Sequence, residues 1–152
     1  MTERKTVLIR YDEIGLKGRN RKFFEKCLLR NIKRVLSCTD DIAYRSPRGR
    51  IFLDIPSSFA PECTARLKTV PGIASFSIGI SMEPDFNAIS ALGIQWIEPR
   101  LESGGNSLKF CVKTRRSAKS FPKTSPEVNF EVGSRIMNEL SPRGLIVNIK
   151  EA

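Results

Sequence analysis

The sequence predicts an α+β fold in two consecutive parts, and three features carry that expectation. Short runs rich in β-branched residues alternate with apolar stripes at helical spacing. Pro and Gly clusters punctuate these runs where a chain has to turn. The first six elements read strand–helix–strand–strand–helix–strand, and the remainder reads helix–strand–helix–strand.

Residues 5–12 (Lys-Thr-Val-Leu-Ile-Arg-Tyr-Asp) are a strand by composition. Asn20 is placed to cap a helix running to about Ser37, with Phe24, Cys27, Leu28, Ile32, Val35 and Leu36 on one stripe. Ile42–Tyr44 and Ile51–Ile55 flank Ser46-Pro47-Arg48-Gly49, whose proline in second and glycine in fourth position suit a type I turn. A second helix is expected from Ser58 to Val70, with Ala60, Cys63, Leu67 and Val70 on one face, and Pro71-Gly72 stops it. Over residues 75–82, Phe76, Ile78, Ile80 and Met82 alternate with Ser75, Ser77, Gly79 and Ser81, which marks a strand. The order βαββαβ over residues 1–82 is that of a ferredoxin-like sheet carrying two helices on one face.

In residues 83–152, Pro84-Asp85 opens a helix expected to turn Phe86, Ile89, Leu92, Gly93, Trp96 and Ile97 inward, with Pro99 ending or kinking it. Ser107–Thr114 is a strand, Pro126–Leu140 a helix and Leu145–Ile149 a last strand. Either Ser125 caps the helix ahead of Pro126, or Thr124 and Glu127 form a capping box. Strand–helix–strand of this length implies parallel pairing. Because the last strand ends close to residue 152, this second part reads as incomplete.

Net charge is +10, and it is unevenly spread. Residues 1–50 hold 14 Lys and Arg against 6 Asp and Glu, residues 51–100 hold 3 against 5, and residues 101–152 hold 9 against 5. Two basic regions around a neutral middle suit a polyanion. The chain has no histidine, which excludes the usual Ser-His and Cys-His activation and removes the commonest metal ligand. Cys27, Cys38, Cys63 and Cys111 form no C-x-x-C pair and read as small core residues, with no metal site expected. A self-contained enzyme would have to rely on Glu13, Asp54 or a cysteine, without a nucleotide loop. The N-terminus leads into no apolar signal core and no apolar run approaches the length of a membrane span, so a cytoplasmic chain with no membrane partner is expected.

The binding signals are basic. In Glu-Ile-Gly-Leu-Lys-Gly-Arg-Asn-Arg-Lys (13–22), Gly15 and Gly18 allow close backbone approach, and Asn20 opens a helix whose free N–H groups favour phosphate. Lys17, Arg19, Arg21 and Lys22 surround that spot. Lys26 and Arg30 extend it along a helix face in which only Glu25 is available for pairing. Arg45, Arg48 and Arg50 sit at the hairpin tip, as RNA contacts or as solubilising charge. In Thr-Arg-Arg-Ser-Ala-Lys-Ser-Phe-Pro-Lys (114–123), Arg115, Arg116, Lys119 and Lys123 can neutralise phosphates and Pro122 stiffens the loop. Phe121 either stacks on a splayed base or anchors the loop, and the helix start that follows adds a second anion site. Ser-Gly-Gly-Asn-Ser (103–107) has a phosphate-loop look but stands in helix–loop–strand order, and so reads as a turn.

Four segments, 11–32, 48–55, 70–76 and 112–133, together resemble the N-terminal half of the tRNA 4-thiouridine synthase family. The resemblance implies a ferredoxin-like domain over 1–82 followed by an α/β THUMP domain over 83–152, C-terminally truncated, with the catalytic pyrophosphatase domain absent. It implies binding of tRNA, THUMP holding the acceptor stem and 3′ CCA end, and it links the family to thiamine thiazole synthesis and to a homodimer. In that family the catalytic domain uses ATP to adenylate the uridine at tRNA position eight and installs persulfide sulfur; no cofactor is implied for this chain. By motif, the RNA-binding role falls on Lys17, Arg19, Asn20, Arg21, Arg115, Arg116, Lys119, Phe121 and Pro122, with Ser125, Glu127 and Gly133 as structural positions. Asp12 departs from the family's glycine, and Ile-Val-Asn-Ile-Lys-Glu-Ala (146–152) from its usual closing sequence. A tRNA-binding module is the expectation; the alternative is an RNA-binding adaptor that recruits a separate catalytic subunit.

Overall fold

The structure, a computed structural model, describes residues 3–11, 19–47, 49–103, 108–116 and 121–148, with the side chain of Arg19 excluded. The chain divides into two compact units, Met1–Ser81 and Met82–Ala152. The fold is α+β, a ferredoxin-like unit followed by a second α/β unit.

In the first unit, β1 (Arg4–Tyr11) pairs antiparallel with β3 (Ile51–Pro56) and with β4 (Ile73–Gly79), and β2 (Ala43–Arg45) pairs outside β3. The strand order is β2-β3-β1-β4. The period-two pattern sends Val7, Ile9, Tyr11, Ile51, Leu53 and Ile55 to one face, where helices α1 (Arg19–Val35) and α2 (Ala60–Leu67) bury them with Leu28, Ile32, Leu36, Cys63 and Leu67. The opposite face carries Thr6, Leu8, Arg10, Phe52 and Asp54, with Ser75 and Ser77 on β4. Pro61 stands in the first turn of α2, behind a 3-10 turn at Ser57–Phe59. Gly72 follows the helix at φ 92, where a Cβ would also lie 3.0 Å from the Phe24 ring.

Several local expectations need correction. Asn20 lies inside α1 as its second residue, two positions too late to cap it. The hairpin turn closes one residue later than expected: Arg50 N–H donates to Pro47 O, and Gly49 has φ 82, so the glycine is in the third position, where a positive φ is required. Strand β4 stops at Gly79, the last residue with a partner on β1, and Ile80 and Met82 beyond it are exposed.

In the second unit, β5 (Leu108–Phe110) and β6 (Leu145–Val147) pair in parallel, joined through α4 (Ser125–Leu140), as expected. Helix α3 (Phe86–Ser103) packs on α4, with Leu101, Val128, Val132, Ile136, Leu140 and Leu145 forming the core. Asp85 accepts from the Ala88 N–H at 2.9 Å and starts α3. Pro99 neither ends the helix nor keeps it from reaching Ser103. The stripe runs through Phe86, Ser90, Ile94, Ile97 and Leu101, so Trp96, one residue off it, is 45% exposed instead of inward. Cys111 lies past the end of β5 and is exposed, as is Cys38; only Cys63 is fully buried. Ser107 and Ile149 lie outside the described residues. No helix among the described residues is long and apolar enough to cross a membrane.

Candidate nucleic-acid interface

The topology brings Arg10, Arg45, Arg50 and the start of α1 to one end of the sheet of the first unit. Ile9 pairs with Ile51, so the C-terminal end of β1 lies beside the start of β3 and the hairpin tip. Helix α1 begins at the same end, because the Tyr11 ring lies 6.0 Å from the Phe24 ring. The Tyr11 hydroxyl donates to Glu25 Oε1 at 2.5 Å, and Arg21 Nε donates to the same oxygen at 3.1 Å. The Tyr11 hydroxyl, then the Arg21 guanidinium, hold the Glu25 carboxyl below its ordinary value. Burial, reinforced by Glu25, pushes Tyr11 up to about 12.

This arrangement divides the expected contacts. Arg21 is engaged with Glu25 and orients the first turns of α1. Asn20, Lys22, Lys26 and Arg30 are exposed on the helix, and the three cations form no ion pair among the described residues. Arg30 makes only a long contact to Cys27 Sγ, at 3.8 Å. Arg50 is half-buried and likewise without an ion pair among the described residues. Arg45 pairs with Asp54 at 3.0 Å. Lys17, Arg48, the glycines of 13–18 and the Arg19 side chain lie outside the described residues.

In the second unit, a cleft of about 260 Å³ is lined by Phe86, Ile89, Thr114, Arg115, Arg116 and Phe121. Phe121 meets Phe86 edge-on with centroids 6.3 Å apart and packs on the core, which makes it a wall of the cleft and an anchor for its loop. Arg116 Nη1 donates to the carbonyls of Lys123 at 3.0 Å and Phe121 at 3.4 Å, closing the loop on itself. The Lys123 ammonium lies 4.9 Å from the Phe86 ring centroid and is bonded to Glu131, which also pairs with Arg135 at 2.9 Å. Arg115 is exposed at the rim and forms no ion pair among the described residues; Pro122 is exposed, and Lys119 lies outside the described residues.

The start of α4 is a capping box. Glu127 N–H donates to Thr124 Oγ1 at 3.4 Å, and Thr124 N–H donates to Glu127 Oε2 at 2.6 Å. The Thr124 and Glu127 alternative is therefore the one formed, and it corrects the expected anion site: the Glu127 carboxylate already occupies the helix N-terminus, held below its ordinary pKa by the Thr124 hydroxyl and backbone.

Three side chains escaped the sequence reading. Phe23 is 71% exposed beside Lys22, and Phe130 is 78% exposed on α4. Both sit one or two residues off an apolar stripe, a signal legible in the sequence. Arg10 lies on the uncovered sheet face and donates to Ser77 Oγ at 2.8 Å, a position that only the register reveals. Of the residues an enzyme would have to rely on, Asp54 accepts from Thr6 and Arg45, and burial pushes the Cys63 thiol up to about 11. Among the described residues no group of three or more Cys, Asp or Glu could hold a metal ion.

The ThiI ferredoxin-like domain family matches residues 6–77, and the THUMP domain family matches residues 83–152. A Bacillus licheniformis protein named "Probable tRNA sulfurtransferase" is 37% identical over 131 residues, which cover 86% of this chain and 32% of that protein. One of the same name from Geobacillus kaustophilus is 36% identical over 145 residues, 95% of this chain and 35% of that protein. The chain thus spans about a third of the length of these relatives. A crystal structure of a 4-thiouridine synthetase–RNA complex with bound ATP aligns with 98% of this chain and 36% of that one, at 30% identity and a TM-score of 0.74. PH1313 from Pyrococcus horikoshii aligns with 97% of this chain and 48% of its own, at 31% identity and a TM-score of 0.77. The chain thus joins a member of the ThiI ferredoxin-like domain family, at residues 6–77, to a member of the THUMP domain family, at residues 83–152.

Proposed function

We propose that the chain holds tRNA for 4-thiouridine formation, with the THUMP domain seating the 3′ CCA end and the ferredoxin-like domain following the backbone of the acceptor stem. The observation that carries the reading is the likeness of 98% of the chain to a synthetase solved with RNA. The physical support is a set of exposed cations with no carboxylate partner among the described residues, Lys22, Lys26 and Arg115, and a small aromatic-walled cleft beside Arg115. A cleft of that kind suits an unpaired base, whereas a helical row of lysines suits phosphates along a stem. Lys17, Arg19, Arg48 and Lys119 are proposed as further contacts.

On this reading the chain binds and does not turn over. ATP use, sulfur transfer and any homodimer belong with a catalytic domain at the uridine of position eight, carried on the same polypeptide or recruited as a separate subunit. Thiolated nucleoside formed by the chain with only ATP, tRNA and a persulfide donor, detected by mass spectrometry, would overturn that part.

The binding experiment is anisotropy titration of intact tRNA and of tRNA lacking its 3′ CCA end. With roughly six phosphates contacted, affinity falls about a thousandfold between roughly 50 and 200 mM salt, and trimming the end weakens binding further. Flat affinity across that salt range removes the nucleic-acid reading, and equal affinity for the two RNAs removes the end-recognition part.

A further inference from the structure

Two aromatic side chains stand clear of the helices that carry them, Phe130 on α4 at 78% exposure and Phe23 on α1 at 71%. The charge around them differs. Beside Phe130, Lys123 and Arg135 both close on Glu131, and Glu127 is taken up in the capping box, so the charges there satisfy one another. Phe23 lies one residue off the apolar stripe. Phe24 packs on the core with Leu28 and Ile32, while the Phe23 ring is turned outward and meets no other ring among the described residues. Along the row beside it, Lys22, Lys26, Arg30 and Arg34 follow one another at intervals of four, all exposed and without an ion pair among the described residues. That interval sets like charges against one another on successive turns, which destabilises a helix left to itself. The one carboxylate of α1, Glu25, is held by the Tyr11 hydroxyl and Arg21, and only its longer-range field reaches Lys22.

A row of open cations selects an anion, and a phenyl ring standing beside its first members selects a flat apolar face. RNA presents both. We propose that Phe23 is an RNA contact, on which one unpaired nucleotide of the bound tRNA stacks while Lys22 and Lys26 meet the phosphates beside it and Arg30 and Arg34 those that follow. Charge complementarity argues for this occupant. Phe23 and Lys26, three residues apart, share a face of the helix, so one bound strand reaches both. The ring has no hydrogen-bonding group, so it accepts any base face without reading which base it is. Bases inside a stem stack on one another and are not splayed out for an aromatic side chain, so the contact marks a point where pairing stops. The cation row then follows the backbone, and the ring fixes where along the RNA that row begins. The inference rests on the RNA-binding reading above.

Phe23→Ala removes an exposed ring, so the far-ultraviolet melting curve should keep its midpoint. Its affinity for tRNA should fall at least about fivefold, the low end for one stacked base. The salt slope should not change, because no cation is removed. Phe23→Trp should bind at least as well as the parent chain, and Phe23→Leu, apolar but without an aromatic face, should lose as much as the alanine variant. Lys22→Gln, Lys26→Gln and Arg30→Gln together should lower the slope by about three, close to one unit for each phosphate that is no longer neutralised. A blunt RNA duplex should bind the parent chain and Phe23→Ala equally. Parent affinity for tRNA in Phe23→Ala or Phe23→Leu overturns the proposal, and so does an equal loss on the duplex. A parent chain that dimerises without RNA and becomes monomeric in Phe23→Ala assigns the ring to a second copy and overturns it as well. In each of these cases salt-dependent binding by the parent chain leaves the RNA reading standing, whereas its absence removes both. If Phe23→Ala melts early, the contrast between Phe23→Leu and Phe23→Trp decides.

Discussion

Phe121→Ala is expected to weaken the THUMP unit's fold well before it acts on RNA. The ring is half-buried on the core and meets Phe86 edge-on. A fully covered aromatic side chain buries about 150–250 Å². Half of that, at about 25 cal/mol per Å², is about 2–3 kcal/mol, and the edge-on packing adds about 1 kcal/mol. Truncation to alanine should therefore cost about 3 kcal/mol, and Phe121→Leu, which keeps most of the volume, about 1 kcal/mol. In a unit of this size 1 kcal/mol shifts the midpoint by about 4–8 °C. The alanine variant should thus melt about 10–20 °C early and the leucine variant about 5 °C early. Trp96 is the only tryptophan and lies in α3, so its fluorescence follows the THUMP unit by itself. RNA affinity measured well below both midpoints should change by less than about threefold for the leucine variant, since Arg115 and Arg116 keep their places. A leucine variant with the parent midpoint and an affinity loss at the level of a stacked base, about fivefold or more, would show that the ring stacks and does not anchor.

Arg115→Ala should weaken tRNA binding without moving the Trp96 melting curve, whereas Arg116→Ala, which removes the donor to two loop carbonyls, should lower that midpoint by several degrees. Gly93→Ala brings a Cβ to 2.8 Å from Ile136 Cδ1; the helix gain of about 1 kcal/mol roughly offsets the crowding, and adding Ile136→Val should release about 1 kcal/mol of coupling in a double-mutant cycle. Tyr11→Phe should cost about 1.5 kcal/mol in urea titration, as for a hydrogen bond to a charged group. Tyr11 is raised to about 12, so its contribution is complete below its ordinary 10.0 and is lost as pH rises from there toward 12. Glu25 is lowered, so its contribution holds above its ordinary range and is lost as pH falls through its folded value. In a Tyr44→Phe chain, an ultraviolet titration in which the remaining tyrosine ionises at pH 10 would contradict the Tyr11 environment.

Elements were legible wherever a local period sufficed. The β-branched run that predicts the first strand and the stripe from Phe24 to Leu36 depend only on near neighbours, and the structure has a strand at Arg4–Tyr11 and the stripe on the core, with Asp12 outside the described residues. The misses depend on long-range pairing or on single hydrogen bonds. The exposed end past Gly79 follows from where β1 stops pairing, and the shifted turn at Gly49 from one bond to Pro47. Trp96 was misplaced because a stripe through 86, 89, 93 and 97 can be widened toward 92 and 96 on one side almost as well as toward 90 and 94 on the other, and only the packing against α4 chooses. For the site, residue type gave the cations, but not which of them are already engaged. Arg21 and Lys22 both reach Glu25 by helical spacing, at i,i+4 and i,i+3, and only the β1–α1 geometry, which brings Tyr11 to the same carboxylate, shows that Arg21 is the one engaged.

That difference matters for how each unit presents charge. An arginine closed on a carboxylate or a carbonyl has little net field left for a phosphate, yet it fixes the backbone from which its neighbours project. In the ferredoxin-like unit, Arg21 and Tyr11 converge on Glu25 and hold the first turns of α1 against the sheet, so that Lys22 and Lys26 are carried on a rigid helix. In the THUMP unit, Arg116 ties the carbonyls of Phe121 and Lys123 while Lys123 reaches Glu131, so Arg115 is carried beside a fixed loop. The same division operates twice on unrelated elements: one engaged cation holds the scaffold, and an adjacent unpaired one faces solvent. Unpaired lysines and arginines repel one another and cost stability in the free protein. Lys22, Lys26 and Arg115 have no carboxylate partner among the described residues, beside Arg21 and Arg116 whose charges are already engaged, and that contrast is what the proposed binding surface rests on.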